Sequence, residues 1–550
     1  MWILELKSRA EDKNGARSFM SGVLLLSFST VIVKIIGLAF KIPMLSFLGA
    51  EGMGYFNSAY EIYALLCVVS TAGLPVALSM LVSTARSNND GARVKRVYRA
   101  AKYIFGIFGF GASLVMIVFS RQLADSIGNP DAYLCIMAIA PALLLVCLAS
   151  AIRGYCQGFE YMVPTAVSQL IEAIGKLVFG MLLAMLAIKR GYPIYSVAAY
   201  AVFGITLGSF VSVVYLALAK LVKRPEKTMS RVSETIRQVG GEARELISVA
   251  LPITLGSTVL GLTRIIDMAL IMRRLAEQGI PISRINTVYG AYTTLALPVF
   301  SLIPALITPI SMALIPQLSA FSNKKDREGE RTVIENSVRL TTLLAMPASF
   351  GITLFSRPIL EILFSGQSEA IDICAPLLAI LGSSVLFSCL ITTTNAVLQS
   401  YRHVCLPIVS MLAGVVIKAV STYTLLGVEN VGIMGAPIGS LLCNLTVVLI
   451  NLCFMKRYTG ATLRSATLFF KPLIASCISV CGAFTLYLYM TEYLASKMLA
   501  FAVAVIFAAA IYIGFAFLTG CLTKEDIMLF PAGERFIKFI DMKKIKNRDS

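Results

Sequence analysis

FMSGVLLLSFSTVIVKIIGLAFKIPMLSFL, residues 19–48, is a run of thirty residues in which only Lys34 and Lys41 carry a charge. A helix needs about 20 consecutive apolar residues to cross the hydrocarbon core of a bilayer, so this run predicts a transmembrane helix. Similar apolar runs, separated by short polar segments, follow along most of the chain. The sequence therefore predicts an integral membrane protein built from helices.

The overall composition supports the same class. Of the 550 residues, 57% are hydrophobic and 14% are charged, and the mean hydropathy is +0.80. These values exclude a soluble enzyme, a secreted disulfide scaffold, a disordered chain and an outer-membrane barrel. We predict an all-α integral membrane protein with about fourteen transmembrane helices. The predicted spans are 19–48, 55–83, 98–120, 133–152, 162–188, 196–219, 247–272, 287–317, 338–356, 371–398, 406–427, 432–455, 468–491 and 498–520.

Positive charge is distributed unevenly among the polar segments. With both termini in the cytoplasm, most Lys and Arg residues outside the spans lie on the cytoplasmic side, as the positive-inside rule requires. The net charge of +18 is then explained by topology and by contact with an anionic inner leaflet, and nucleic-acid binding is not expected. Within the tail 521–550, basic and apolar residues intermingle over 534–546, which predicts an amphipathic helix on the inner leaflet; a solvated tail is the alternative.

Metal, cofactor and enzyme chemistry have little support in the sequence. The twelve cysteines form no CxxC pair and nearly all lie in predicted spans, where a thiol behaves as a small apolar group. The single histidine, His403, falls in a short predicted cytoplasmic loop. Gly175-Lys176 lacks the flanking residues of a phosphate-binding loop. We therefore expect no metal, no cofactor and no enzymatic activity.

Two halves of the chain share a sequence pattern. STVIVKII (residues 29–36) resembles STVLGLTRII (residues 257–266), and the spacing from glutamine to lysine at 157–176 recurs at 399–418. Because each half contains an even number of spans, the halves have parallel topology, as in transporters that bind substrate between two lobes. The predicted segments are 1–18 (cytoplasmic), 19–219 (first six-helix lobe), 220–246 (cytoplasmic linker), 247–456 (second six-helix lobe), 457–520 (two extra helices) and 521–550 (basic cytoplasmic tail).

Prolines interrupt two spans that are equivalent in this repeat. Gly73 and Pro75 lie in the second span, and Pro298 and Pro309 lie in the eighth. A proline inside a helix removes a backbone donor, and a freed carbonyl at membrane depth is tolerated only where protein or a wet cavity covers it. We predict that these four residues form hinges beside a cavity; the alternative is a packed kink.

Eight ionisable side chains lie deep in the predicted spans. The cations are Lys34, Lys41, Lys176, Arg264 and Lys418, and the acids are Glu61, Glu172 and Asp267. Each charge at the bilayer centre costs about 2.5–3.5 kcal/mol on insertion scales, so the eight must face protein or water. For Lys41, the alternative is that the side chain extends to the outer interface.

Two of these cations have an acid one helical turn away. Arg264 and Asp267 are three residues apart, and Glu172 and Lys176 are four apart, so each pair can neutralise itself. Glu61 can serve one of the remaining lysines. An excess of positive charge is left, which suits an anionic substrate such as a phosphate, diphosphate or carboxylate. We therefore predict that the five cations bind substrate and that the three acids pair with them or couple transport to an ion.

Four stretches of the chain resemble one known family. They are LAFKIPMLSFLGAEGMGY (38–55), GLPVA (73–77), RGYCQG with PTA (153–166), and ALP through PQL (296–318). In combination, over roughly residues 19–460, they are similar to the polysaccharide-biosynthesis branch of the multidrug/oligosaccharidyl-lipid/polysaccharide (MOP) exporters. That branch includes the sporulation stage V proteins of type B and the MurJ-type lipid II flippases.

The resemblance implies two six-helix lobes around a V-shaped cavity, with two appended helices. It also implies that the chain flips undecaprenyl-diphosphate-linked saccharides, lipid II or another cell-wall glycan precursor, to the outer leaflet of a bacterial plasma membrane by alternating access. Cell-wall synthesis proteins are then candidate partners. MurJ-type flippases carry an Asp-Arg pair and a second basic pair where this chain has Tyr292-Thr293 and Val68-Val69. Only Lys34, Lys41 and Arg264 then remain as candidate diphosphate contacts.

Other functions make different demands on the sequence. A multidrug antiporter of the same superfamily predicts a cavity dominated by acids. A membrane glycosyltransferase or glycan ligase predicts clustered carboxylates, arginines or histidines in the outer loops, whereas the acids there are scattered. A non-transporting scaffold for cell-wall assembly is a third alternative.

Overall fold

The computed structural model describes residues 2–222, 236–323, 327–401, 405–428, 430–459, 466–493 and 496–518. Within these ranges every regular element is a helix. The centre of the predicted linker 220–246, the single histidine His403 and the predicted tail 521–550 lie outside the described residues.

Seventeen α-helices make up the described chain. They are α1 (Trp2–Thr71), α2 (Leu74–Ser87), α3 (Gly91–Val118), α4 (Ser120–Ser126), α5 (Tyr133–Gly158), α6 (Val163–Lys189), α7 (Ile194–Val222), α8 (Ile236–Glu277), α9 (Ile282–Ala291), α10 (Leu297–Asn323), α11 (Arg327–Leu354), α12 (Ser356–Leu363), α13 (Ser368–Ser400), α14 (Cys405–Leu426), α15 (Gly435–Thr459), α16 (Lys471–Tyr493) and α17 (Lys497–Leu518). A short π-helical stretch at Tyr292–Ala296, called the π-turn below, joins α9 to α10.

Thirteen segments of the described chain are long and apolar enough to cross a membrane. The first, Ile32–Ser87, has 56 residues, which as helix is about 84 Å and exceeds twice the roughly 30 Å of a hydrocarbon core. Its backbone breaks at Gly49, where φ is 66° and ψ is 178°, a conformation restricted essentially to glycine. This segment therefore accommodates two crossings. The fourteen predicted spans are accounted for, and the all-α membrane class is confirmed.

The order of elements repeats within the chain. α3, the short α4 and α5 correspond to α11, the short α12 and α13. In each case the long helix is followed by the same three residues, Phe119-Ser120-Arg121 or Phe355-Ser356-Arg357, and the serine that begins the short helix is buried. This additional match agrees with two related halves.

Packing divides the chain into two compact units. Unit 1 contains residues 1–295 and 422–436, and unit 2 contains residues 296–421 and 437–550. Unit 1 therefore includes α8 and α9, which the repeat assigns to the second half. The reason lies in local contacts: α9 crosses α1, and Arg93 of α3 pairs with Glu242 and Glu245 of α8 at 3.3 and 2.7 Å. The lobe boundaries 19–219 and 247–456 remain a prediction from the repeat.

Two kinds of contact hold helices of unit 2 together: hydrogen bonds between hydroxyl groups and packing between aromatic rings. The hydroxyl of Thr393 on α13 lies 3.2 Å from Ser311 of α10 and 2.7 Å from Thr341 of α11. The two extra helices α16 and α17 dock around Phe355, whose ring contacts those of Phe484, Tyr487 and Phe501 edge to face at 5.3–5.7 Å. Such edge-to-face pairs stabilise packing beyond the area they bury.

We expect acid to loosen the start of α17. The Lys497 ammonium donates to Glu361 of α12 at 2.8 Å, and this bond, with a second from Arg357, lowers the pKa of the Glu361 carboxyl. A carboxylate with a lowered pKa contributes stability above its unfolded pKa of about 4.3, and the contribution is lost as the pH falls through the folded value.

Because both partners are partly exposed, the contribution is about 1 kcal/mol at most. Glu361→Gln should increase hydrogen exchange in the first turn of α17 at pH 7 and make little difference at pH 3. An equal effect of the substitution at both pH values would contradict this assignment.

Candidate functional site

Four of the five predicted cations lie in unit 1 and influence one another. Lys34 and Arg264, from α1 and α8, are close enough for their charges to repel. Lys41 of α1 interacts electrostatically with Lys176 of α6, with Arg264 and with Glu61. We call Lys34, Lys41, Lys176 and Arg264 the basic site. Its members come from three helices; the side chains of Lys34 and Arg264 are exposed, and those of Lys41 and Lys176 are partly buried.

Arg264 pairs with an acid on another helix. Its Nη1 lies 3.9 Å from Oε2 of Glu61, which comes from the second half of α1. The Glu61 side chain is 10% exposed, whereas that of Arg264 is 60% exposed. Asp267, the expected partner one turn along α8, is buried. The guanidinium therefore combines one long ion pair with an open side that can accept an anion.

Lys41 reaches across to the π-turn after α9. Its Nζ donates a hydrogen bond to the Thr293 carbonyl at 2.7 Å. A second residue of α1, the buried Asn57, contacts the same turn: its Nδ2 donates to the hydroxyls of Thr293 and Thr294, each at 2.9 Å. The side chain of Lys41 is thus directed into protein rather than toward the outer interface.

Glu172 is paired, but with a residue outside the predicted set. Its Oε2 accepts from Nη2 of Arg153 on α5 at 2.8 Å, and Arg153 also donates to the hydroxyls of Ser168 and Ser212. Lys176, the expected partner, interacts electrostatically with Glu172. Its ammonium lies 5.5 Å from the centre of the Phe40 ring. Arg153 therefore takes the place at Glu172 that the spacing along α6 predicted for Lys176.

Lys418 is placed separately, in unit 2. It lies on α14 and is 7% exposed. In unit 1 the equivalent position of the repeat is Lys176, which is only partly buried. A substrate-binding role for Lys418 stays a prediction.

Three of the four predicted hinge residues fall at or near helix starts. Gly73 precedes α2 and Pro75 is in its first turn, where a missing N–H is tolerated. A Cβ at Gly73 would lie 2.2 Å from the Ala250 carbonyl oxygen of α8, so only glycine allows this approach. Pro298 follows the π-turn in the first turn of α10, whereas Pro309 lies inside that helix. Bending at these positions remains a prediction.

In the described part of the chain, no three His, Cys, Asp or Glu side chains are grouped so as to hold a metal ion. The basic site instead offers ammonium and guanidinium donors, which match carboxylate and phosphate oxygens.

Comparison with known proteins agrees with this fold. Residues 19–322 match the family model described as polysaccharide biosynthesis protein, and residues 282–424 match the MatE model. Stage V sporulation protein B of Bacillus subtilis (strain 168) is 23% identical over 95% of this chain and 99% of the relative. The lipid II flippase MurJ of the same organism is 26% identical over 80% of this chain and 83% of the relative.

A solved structure shows the same fold at low sequence identity. The lipid II flippase MurJ in an inward closed conformation aligns with a TM-score of 0.67 and 16% identity, covering 90% of this chain and 98% of that chain. At this identity the likeness concerns the fold alone.

Proposed function

Since the chain belongs to the polysaccharide biosynthesis protein family of the MOP exporter superfamily, we propose that it is a flippase for polyprenyl-diphosphate-linked saccharides. It carries lipid II or a related cell-wall glycan precursor from the inner to the outer leaflet of a bacterial plasma membrane. The relatives named as lipid II flippases support the substrate class. The protein moves its substrate without making or breaking covalent bonds in it.

The observation that carries this proposal is the charge of the basic site. Unit 1 gathers four basic side chains from α1, α6 and α8, and the nearby Glu172 is already paired with Arg153. Arg264 keeps an open side although it is paired with Glu61. A diphosphate presents several strong acceptor oxygens and is held best by charge-assisted hydrogen bonds. A site with excess positive charge therefore favours an anionic lipid headgroup over a cation.

In the proposed transport cycle, the basic site is open alternately to the inner and the outer side of the membrane. The basic site grips the diphosphate on the cytoplasmic side while the polyprenyl chain stays in the bilayer. An inside-negative potential then helps the anionic headgroup outward, by about 2.3 kcal/mol per charge per 100 mV. Both termini lie in the cytoplasm in this scheme, because that orientation places most of the Lys and Arg residues outside the spans on the inner side.

Multidrug antiport is the second candidate, because residues 282–424 match the MatE model. A cationic drug or Na⁺ would have to be held by Glu61 or Asp267 against the four nearby cations. The two functions respond oppositely to charge removal in the basic site: loss of a cation weakens headgroup binding and strengthens binding of a cationic drug.

Reconstituted transport tests the proposal. In proteoliposomes under an imposed inside-negative potential, Lys34→Ala and Arg264→Ala should each slow headgroup translocation on the order of tenfold, since each removes a charge-assisted hydrogen bond worth about 1.5–3 kcal/mol. The double variant should be slowed on the order of a hundredfold if the two losses add.

Lys189→Ala is the matched control, because Lys189 is exposed at the end of α6 and lies outside the basic site. It should flip like the unchanged protein. Unchanged translocation by the Lys34→Ala/Arg264→Ala double variant would remove the proposed grip. Faster extrusion of a cationic dye by that variant would favour the antiporter.

A further inference from the structure

The backbone between α9 and α10 is irregular where the chain leaves unit 1. The π-turn covers Tyr292–Ala296, and unit 1 ends within it, after Leu295. Pro298 follows immediately and has no N–H to donate. π-turns interrupt the regular helical hydrogen bonds and occur often at functional sites. The regular helical path is therefore interrupted here, among residues that are largely buried.

Two side chains of α1 hold the π-turn. Asn57 is 3% exposed and bonds to the hydroxyls of Thr293 and Thr294. Lys41 bonds to the Thr293 carbonyl at 2.7 Å, from a position 252 residues earlier in the chain. Asn57 is neutral and enclosed, so its bonds are a fixed attachment. Lys41 is ionisable, and its partner is a neutral carbonyl.

Lys41 also belongs to the basic site. It lies seven residues, about two helical turns, from Lys34 on the same face of α1, and Lys176 lies 5.5 Å from the ring of the adjacent Phe40, so one side chain links the predicted headgroup contacts to the π-turn. A phosphate oxygen is a stronger acceptor for an ammonium than a neutral carbonyl is, because both partners then carry charge. An anion entering the basic site therefore competes directly with Thr293 for Lys41.

We propose that Lys41 is a displaceable latch: a phosphate or diphosphate group in the basic site takes its ammonium from the Thr293 carbonyl and so removes one of the two attachments of the π-turn to α1, while Asn57 keeps the other. Lys41 thereby acts both as a phosphate contact and, through Thr293, as a positioning residue for the backbone at the end of unit 1. The proposal rests on the proposed function, since it takes the ligand to be a lipid that carries phosphate.

Hydrogen exchange of the full chain in lipid nanodiscs, with inorganic pyrophosphate as the probe, tests the latch. In the unchanged protein, saturating pyrophosphate should accelerate exchange of the amides in residues 292–299 on the order of tenfold, the loss expected for one hydrogen bond to a charged group. In Lys41→Met these amides should exchange faster from the start and should not respond to pyrophosphate.

Lys34→Met is the matched control, since it removes a cation of the basic site that has no bond to Thr293 in the described structure. Its affinity for pyrophosphate should fall, but at saturation the response of residues 292–299 should remain. Lys41→Arg should restore part of the response. If Lys41→Met does not fold, Lys41→Gln serves instead: its amide can donate to Thr293 but carries no charge, so exchange should stay slow and pyrophosphate should have no effect.

Calorimetry on the same samples separates the two proposals. Pyrophosphate that binds the unchanged protein without altering exchange in residues 292–299 contradicts the latch and leaves the proposed grip intact. A pyrophosphate response that persists in Lys41→Met also contradicts the latch. Absence of pyrophosphate binding to the unchanged protein contradicts both.

Discussion

A protein carrying Gly290→Ala is expected to lose the close crossing of α1 and α9 and to denature at a clearly lower temperature. A Cβ at position 290 would lie 1.9 Å from the Ala50 carbonyl oxygen and 2.6 Å from the Gly54 nitrogen. Both are backbone atoms, which cannot rotate away, so the helices must separate. The expected loss in the free energy of unfolding is about 3 kcal/mol, the upper end of the usual range for overpacking.

The crossing matters because it aligns the two partners of the π-turn. Gly54 approaches Asn286 of α9 just as closely from the other side, and Lys41 and Asn57 reach Thr293 only while α1 and α9 are in contact. Gly290→Ala should therefore also increase hydrogen exchange in residues 292–299. The measurement is the midpoint of thermal denaturation in detergent, followed by size-exclusion chromatography.

Gly111→Ala provides the matched control, with the same chemical change in another helix of unit 1. No atom lies within 4 Å of a Cβ at that position on α3. Since glycine in a helix interior is about 1 kcal/mol less favourable than alanine, this variant should be neutral or slightly stabilised. Equal thermal midpoints for Gly290→Ala and Gly111→Ala would show that the α1–α9 crossing tolerates a side chain.

Arg153→Met is expected to have the second large effect. The substitution leaves the Glu172 carboxylate without its partner at 2.8 Å and deprives the hydroxyls of Ser168 and Ser212 of a donor. Removing one member of a fully buried ion pair typically costs about 3–5 kcal/mol. The Glu172 side chain is 26% exposed, and Lys176 lies one turn away and can supply part of the missing charge, so we expect a loss below that range.

A double-mutant cycle separates the ion pair from the packing of the side chain. Glu172→Gln alone should be milder, and the Arg153→Met/Glu172→Gln double variant should be more stable than Arg153→Met, because no buried charge is then left over. The thermal midpoint in detergent again provides the measurement. A double variant no more stable than Arg153→Met would show that the ion pair contributes little.

The spans followed from the sequence because hydrophobic length alone decides which segments cross a bilayer. The ion-pair partners of the charged side chains could not be predicted from the sequence. Spacing along one helix favoured Lys176 for Glu172 and Asp267 for Arg264, whereas the contacts found come from other helices: Arg153 of α5 and Glu61 of α1. Side chains far apart in sequence meet only through tertiary packing, which single-helix periodicity does not describe.

Arg153 was missed for a more local reason. The predicted fourth span ended at residue 152, whereas α5 continues to Gly158. A basic residue at the edge of a span is usually counted with the loop, so Arg153 was not included among the deep charges. The contact between Lys41 and Thr293 had no sequence signal beyond the lysine itself, because its acceptor is a backbone carbonyl freed by a π-turn.

We propose that the basic site of unit 1 holds the diphosphate of a lipid-linked saccharide. Native mass spectrometry of the full chain, purified from bacterial membranes in mild detergent, tests it most directly. We predict a bound mass that corresponds to a polyprenyl-diphosphate-linked saccharide, with occupancy strongly reduced in the Lys34→Ala/Arg264→Ala double variant and unchanged in Lys189→Ala. Equal occupancy in all three proteins, or bound phospholipid alone, would contradict the claim.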